Sequence, residues 1–131
     1  MEIVPLYGAL LALLFVGLSV RALRLRRRLR IAIGDSGNET MLRAMRVHSN
    51  FAEYVPLALL LIFFAEVRGA HALLVHGLCA CLLIGRLGHA YGVSQLRENF
   101  AFRVTGMALT FTALVTAAAW LLFSYRAGVG A

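Results

Sequence analysis

Polar residues stand at the start of a long apolar stretch, in the string LRAMRVHSNFAEYVPLALLLIFF. Charged groups inside an apolar helix are costly unless they pair with each other or with a ligand. Arg46 carries a rigid fork that matches a carboxylate, Glu53 can accept from an ammonium or amide group, and Asn50 can donate and accept. Together they suit a small zwitterionic ligand with carboxylates and amides. Alternatively, Glu53 pairs with Arg46 or Arg43 and only holds helices together.

The spacing of these residues puts them on one side of a helix. At about 100° per residue, five residues share a stripe about 100° wide: Arg43, Arg46, Asn50, Glu53 and Tyr54. His48 lies about 140° from Arg43 and faces another direction. A polar stripe on an otherwise apolar helix is expected to face other helices or a ligand.

The composition predicts the elements that must position this stripe. Of 131 residues, 61% are hydrophobic and 15% are charged, whereas soluble domains carry about 25% charged residues. A membrane-spanning helix needs about 20 mostly apolar residues. The chain is therefore expected to be an all-α integral membrane protein, a single multi-pass domain over residues 1–131. The predicted spans cover about residues 3–23, 40–67, 70–91 and 101–124.

The charge of +7 comes from arginine alone. Basic residues collect in the cytoplasmic connections of membrane proteins. Eight arginines lie between Arg21 and Arg46, and the connection between spans three and four has Arg86, Arg97 and Arg103. Both termini are therefore expected to face away from the cytoplasm, in the cell's inner or plasma membrane. Nucleic-acid binding is not expected, because no soluble domain presents the charge.

The third span carries small residues and two cysteines. Cys79 and Cys81, two positions apart, point to different sides of a helix, so neither a disulfide nor a metal site is expected. Small side chains let helices approach closely. The span has four glycines: Gly77, Gly85, Gly88 and Gly92.

The motif Arg46-x-x-x-Asn50-x-x-Glu53-Tyr54-x-Pro56 resembles the signature of the MAPEG family, the membrane-associated proteins in eicosanoid and glutathione metabolism. Length, four predicted spans and the motif's place in the second span resemble a bacterial-type member. The resemblance implies a four-helix bundle assembled as a homotrimer. It also implies glutathione as co-substrate, bound between neighbouring subunits near the cytoplasmic side. A hydrophobic electrophile dissolved among the membrane lipids would be the second substrate.

The resemblance also implies roles for individual residues. The positions that match glutathione contacts are Arg21, Arg46, His48, Asn50, Glu53, Tyr54 and His89. His48 matches a position that reaches the ligand of the neighbouring subunit. From the residues alone, Arg21 can equally be a topology charge and His89 a packed core group. Val93 departs from the family pattern, because eicosanoid-forming members carry a tyrosine there.

Arg103, at the start of the fourth span, matches the arginine that stabilises the glutathione thiolate in catalytic members. The thiolate is the nucleophile, and a cation within about 4–6 Å lowers the pKa of an acid by about 1–3 units. Arg97 is a weaker candidate for this role, and Arg103 can instead anchor the span at the membrane surface. The implied activity is a glutathione-dependent transferase or peroxidase.

Two other functions stay open at this point. A family member without activity can serve as a binding or structural protein, as the valine at position 93 allows. A small proton-coupled exporter can use Glu53 to exchange protons for a cation. Positive neighbours argue against the exporter, because they repel cations.

Overall fold

The computed structural model describes residues 2–97 and 99–129 of the chain. These residues form four α-helices: α1 (Val4–Leu29), α2 (Glu39–Val67), α3 (Ala72–Ser94) and α4 (Phe100–Val129). Each contains a segment long and apolar enough to cross a membrane. The prediction of an all-α membrane protein with four spanning helices is confirmed.

Local signals account for the helix ends. Pro5 stands in the first turn of α1, where a missing N–H costs no intrahelical bond. Arg30 ends α1 in the left-handed conformation, with φ of 55°. The polar loop that follows ends at Asn38, whose side chain accepts from the backbone N–H of Met41 at 3.0 Å and caps α2. His71 caps α3 by accepting from the N–H of Leu73 at 3.2 Å.

The core lies between the helices and the outer faces remain apolar. Buried residues of the core come from all four helices, among them Leu11, Phe51, Ile62, Leu82 and Ala113. Large apolar side chains also point outward along the spans: Leu13, Leu60, Ile84, Val115 and Leu122. Lipid tails are as apolar as these side chains, so a membrane accommodates a surface that water would penalise.

Helices α3 and α4 pack backbone against backbone through glycine. A Cβ atom on Gly106 would lie 2.6 Å from the carbonyl oxygen of Gly85, and one on Gly92 would lie 2.9 Å from the amide nitrogen of Arg103. Gly77 has no neighbour within 4 Å. Two of the four glycines predicted to allow close approach thus do so: Gly85 packs against Gly106, and Gly92 packs against the start of α4 at Asn99, Phe102 and Arg103.

Glu66, near the end of α2, caps the start of α1. Its carboxylate oxygens accept from the backbone N–H groups of Ile3, at 2.5 Å, and Val4, at 3.0 Å. The first N–H groups of a helix have no intrahelical acceptor, and negative charge is favourable near them. Glu66 therefore joins the ends of two neighbouring helices.

We expect Glu66→Ala to lower the free energy of unfolding by about 1.5–3 kcal/mol, the range for a hydrogen bond to a charged group. Thermal unfolding in detergent measures the change. Glu2→Ala is the control, because Glu2 is exposed and has no hydrogen bond within residues 2–97 and 99–129. Equal melting temperatures for the two variants would contradict the capping role.

Candidate functional site

A polar cleft of about 230 Å³ opens between α2, α3 and α4. Its lining consists of Glu39, Leu42, Arg43, Arg46, Asn50, Glu53, His89, Val93 and Arg103. Five of the predicted site residues meet here: Arg46, Asn50, Glu53, His89 and Arg103. The cleft brings three arginines and two glutamates to one place, so it can hold a ligand that carries both signs of charge.

Helix α2 supplies one wall of the cleft. An adjacent face of α2 is buried against the other helices at Ala44, Val47, Phe51 and Val55, among others. This apolar face fixes the rotation of α2 about its axis. The stripe that starts at Arg43 is consequently held toward α3 and α4.

Arg46 and Glu53 are available to a ligand. Both side chains are exposed, and within the described part of the chain neither forms a hydrogen bond or an ion pair. Glu53 thus forms no ion pair with Arg46 or Arg43 in the described part of the chain, in contrast to the structural alternative. Two opposite charges face the cleft seven residues apart, about 10 Å along the helix.

Arginines from two helices complete the cationic side. Arg43 donates from Nη1 to the carbonyl oxygen of Val93 at 3.4 Å, which ties α2 to α3. Arg103 lies in the first turn of α4, with its guanidinium carbon 5.6 Å from the ring centroid of Phe100. The start of a helix adds partial positive charge to this position. The Arg103 end of the cleft is therefore suited to an anion.

His89 and Val93 are the α3 residues in the cleft lining, and only 6% of the His89 surface is exposed. Gly106 of α4 packs directly on its backbone, since a Cβ atom on Gly106 would lie 2.7 Å from the His89 nitrogen. Val93 lines the cleft one turn further on and is also buried. No hydroxyl is present at that point of the wall.

Arg86 lies behind the cleft and was missed as a site residue by the sequence reasoning. It was counted among the charges of the connection between spans three and four, but it sits inside α3 with 2% of its surface exposed. Its Nη1 donates to Asn50 Oδ1 at 2.6 Å. The spacing could have indicated this position, because Arg86 is three residues before His89 and a helix places both on the same side.

Arg21 and Tyr54 do not line the cleft. Arg21 donates to the hydroxyl of Ser94, between α1 and the end of α3, and borders a separate groove along α1. Tyr54 packs edge-on against Phe111 of α4, with ring centroids 5.5 Å apart.

His48 lies on the side of α2 that faces α1. Its Nε2 is 3.0 Å from Ser19 Oγ, and its ring stacks on Phe15 with centroids 4.7 Å apart. It borders a groove between α1 and α2 that also includes Arg26 and Ser49. His48 therefore points away from the cleft.

The described ranges contain two free cysteines and no cluster of metal-ligating side chains. Cys79 and Cys81 are free, the first buried and the second partly buried. Among residues 2–97 and 99–129, no three His, Cys, Asp or Glu side chains come close enough to share a metal ion. Arg97 is exposed and lies outside the cleft lining.

Comparison with known proteins gives a match over nearly the whole chain. The family model described as "MAPEG family" matches residues 4–123. Two relatives, each named "Inner membrane protein YecN", come from Escherichia coli strains K12 and O6:H1. Each is 40% identical over 129 residues, an alignment that covers 92% of this chain and 97% of the relative.

Proposed function

This chain belongs to the MAPEG family, and from that premise we propose that it is a glutathione-dependent transferase or peroxidase embedded in the membrane. The family comprises membrane-associated proteins in eicosanoid and glutathione metabolism. Its relatives in Escherichia coli are named as inner membrane proteins. Glutathione binds in the cleft between α2, α3 and α4, and the second substrate is a hydrophobic electrophile or hydroperoxide from the lipid phase.

The observation that carries the proposal is the pair of unneutralised charges in the cleft. Glutathione is a zwitterionic tripeptide with two carboxylates, an ammonium group and two amides. Arg46 matches a carboxylate and Glu53 matches the ammonium, and within the described residues neither has another partner. A ligand that supplies both charges pairs them on an otherwise apolar helix, where an unpaired charge inside the membrane is costly.

The size of the cleft supports a site shared between subunits. Ligand pockets usually enclose about 300–1,000 Å³, whereas this cleft has about 230 Å³. We place Arg21 and His48, which face away from it, at the ligand of an adjacent subunit in a homotrimer. We place Tyr54, which lies one turn beyond Asn50 on α2 and packs against Phe111 of α4, at the same shared site.

The chemistry follows from the position of Arg103 at the start of α4. Its guanidinium stabilises the glutathione thiolate, and the thiol proton passes to water. In conjugation the sulfur then forms a bond to the electrophilic carbon as the leaving group departs with its electron pair.

The two substrates reach the cleft from different sides. The lipid-soluble substrate approaches laterally from the membrane. Glutathione enters from the cytoplasm, because we place the arginine-rich connections there and both termini on the opposite side.

Calorimetry with glutathione tests the binding step. We expect the purified protein to bind, and Arg46→Gln to weaken binding by about 10- to 100-fold, since a charge-assisted hydrogen bond contributes about 1.5–3 kcal/mol. Arg27→Gln is the matched control: it removes the same charge from an exposed residue outside the cleft. Absence of binding by the unmodified protein, or equal loss in both variants, would refute the site.

A non-catalytic binding protein is the second candidate. Val93 favours it, because the cleft wall lacks the hydroxyl that eicosanoid-forming members present there. Glutathione binding without turnover of any electrophile or hydroperoxide would select this function. The exporter has less support, because Arg43, Arg46 and Arg103 line the same cleft as Glu53 and repel a cation.

A further inference from the structure

Arg86 is buried between three helices behind the cleft. It belongs to α3, and its Nη1 donates to Asn50 Oδ1 of α2 at 2.6 Å. Its Nη2 lies 3.4 Å from the carbonyl oxygen of Gly106 and 3.3 Å from Met107 Sδ, both on α4. Because both Nη1 and Nη2 have partners, the guanidinium has little freedom to rotate. The direction in which Nη1 donates to Asn50 is therefore fixed.

The contact with Arg86 determines which end of the Asn50 amide faces the cleft. A guanidinium has donors and no acceptor. The Asn50 group that meets it must therefore be the carbonyl oxygen, whichever way the amide would otherwise turn. The amide nitrogen then lies on the other side, where Asn50 contributes to the cleft lining.

We propose that Arg86 is a positioning residue, which holds the Asn50 amide so that its N–H donors face the cleft and select an oxygen acceptor on the ligand. An unconstrained asparagine can donate or accept, and a ligand with either group would satisfy it. An Asn50 amide that is held by Arg86 disfavours a ligand with a hydrogen-bond donor at this point of the cleft, because the N–H of the ligand would face the N–H of Asn50. On the proposed function, which this inference assumes, the acceptor is a carboxylate or peptide carbonyl oxygen of glutathione.

The position of Arg86 between helices also suits a merely structural role, and the two roles predict different results. A residue that only holds α3 between α2 and α4 affects stability whatever stands at position 50. A positioning residue affects ligand affinity through Asn50, so its effect disappears once Asn50 is removed. A double-mutant cycle separates these cases.

The first test combines Arg86→Lys with Asn50→Ala and measures glutathione affinity by calorimetry. Lysine retains the charge, but its compact ammonium cannot reproduce the planar, two-armed geometry of the guanidinium. We expect R86K alone to weaken binding by about 5- to 20-fold, and by less than about twofold in the N50A background. Arg68→Lys, at an exposed arginine after α2, is the matched control and is expected to bind as the unmodified protein does.

The second test is Asn50→Asp, which keeps an oxygen for Arg86 but replaces the N–H donors with a negative oxygen. We expect N50D to melt at or above the temperature of the unmodified protein, because its carboxylate pairs with Arg86. Its glutathione affinity should fall below that of N50A. A stable protein that has lost binding separates the donor role from a folding defect.

Three outcomes decide between the proposals. Binding by N50D equal to that of the unmodified protein overturns the donor assignment. An R86K effect of the same size with and without Asn50 overturns the positioning role, although glutathione binding stands. Absence of glutathione binding in the unmodified protein overturns the proposed function, and this inference with it.

Discussion

Arg103→Ala is expected to reduce turnover of an electrophile by about 10- to 1,000-fold. The range follows from a cation that lowers the thiol pKa by about 1–3 units, because each unit changes the thiolate fraction tenfold below that pKa. Glutathione affinity should change little, since Arg46, Asn50 and Glu53 still line the cleft. Conjugation and peroxide reduction are both assayed, and ultraviolet absorbance reports the bound thiolate directly.

Two further variants control this experiment. Arg97→Ala removes an exposed arginine outside the cleft lining, on the same connection before α4, and should leave turnover unchanged. Arg103→Lys keeps a positive charge at the start of α4 and should retain part of the activity. Normal turnover by Arg103→Ala would show that another group activates the thiol.

The largest effect on folding is expected from Gly106→Leu. Even a Cβ atom at this position lies 2.6 Å from the Gly85 carbonyl oxygen and 2.7 Å from the His89 nitrogen, and both are backbone atoms that cannot turn aside. Helices α3 and α4 would have to separate. We expect a loss of about 3 kcal/mol or more, measured as thermal unfolding of the protein in detergent.

Gly77→Leu is the matched control for that variant. Gly77 lies in α3 like Gly85, but a Cβ atom there meets nothing within 4 Å. Leucine is also a better helix former than glycine, by about 0.8 kcal/mol. We therefore expect unchanged or slightly raised stability, and an equal loss in both variants would show that the glycine contact between α3 and α4 is not responsible.

The membrane helices follow from the sequence because their causes are local. A chain with 61% hydrophobic residues and few charges can satisfy its backbone in lipid as helices. The polar stripe of α2 is equally local, since residues three, four and seven apart share one side of any helix. Arg46, Asn50 and Glu53 were therefore predicted together and lie together in the cleft. The motif that indicates the family is also a property of this one helix.

Packing between helices decided which residues of different helices lie next to each other. Periodicity says which side of its own helix a residue occupies, but it does not say which helix covers that side. Arg86 was interpreted as a surface charge, and only the contact of α3 with α2 and α4 buries it behind Asn50. Likewise His89 and Arg103 line one cleft because glycines let α3 and α4 approach closely.

The sequence alone thus determined the number of helices, their membrane environment and the side chains that could meet a zwitterion, because residue type and helical period act over a few residues. The tertiary structure decided which of these side chains share a cavity. It also separated Arg21 and His48 from that cavity, onto faces beside α1. That separation depends on contacts between residues far apart in the chain, which no local pattern records.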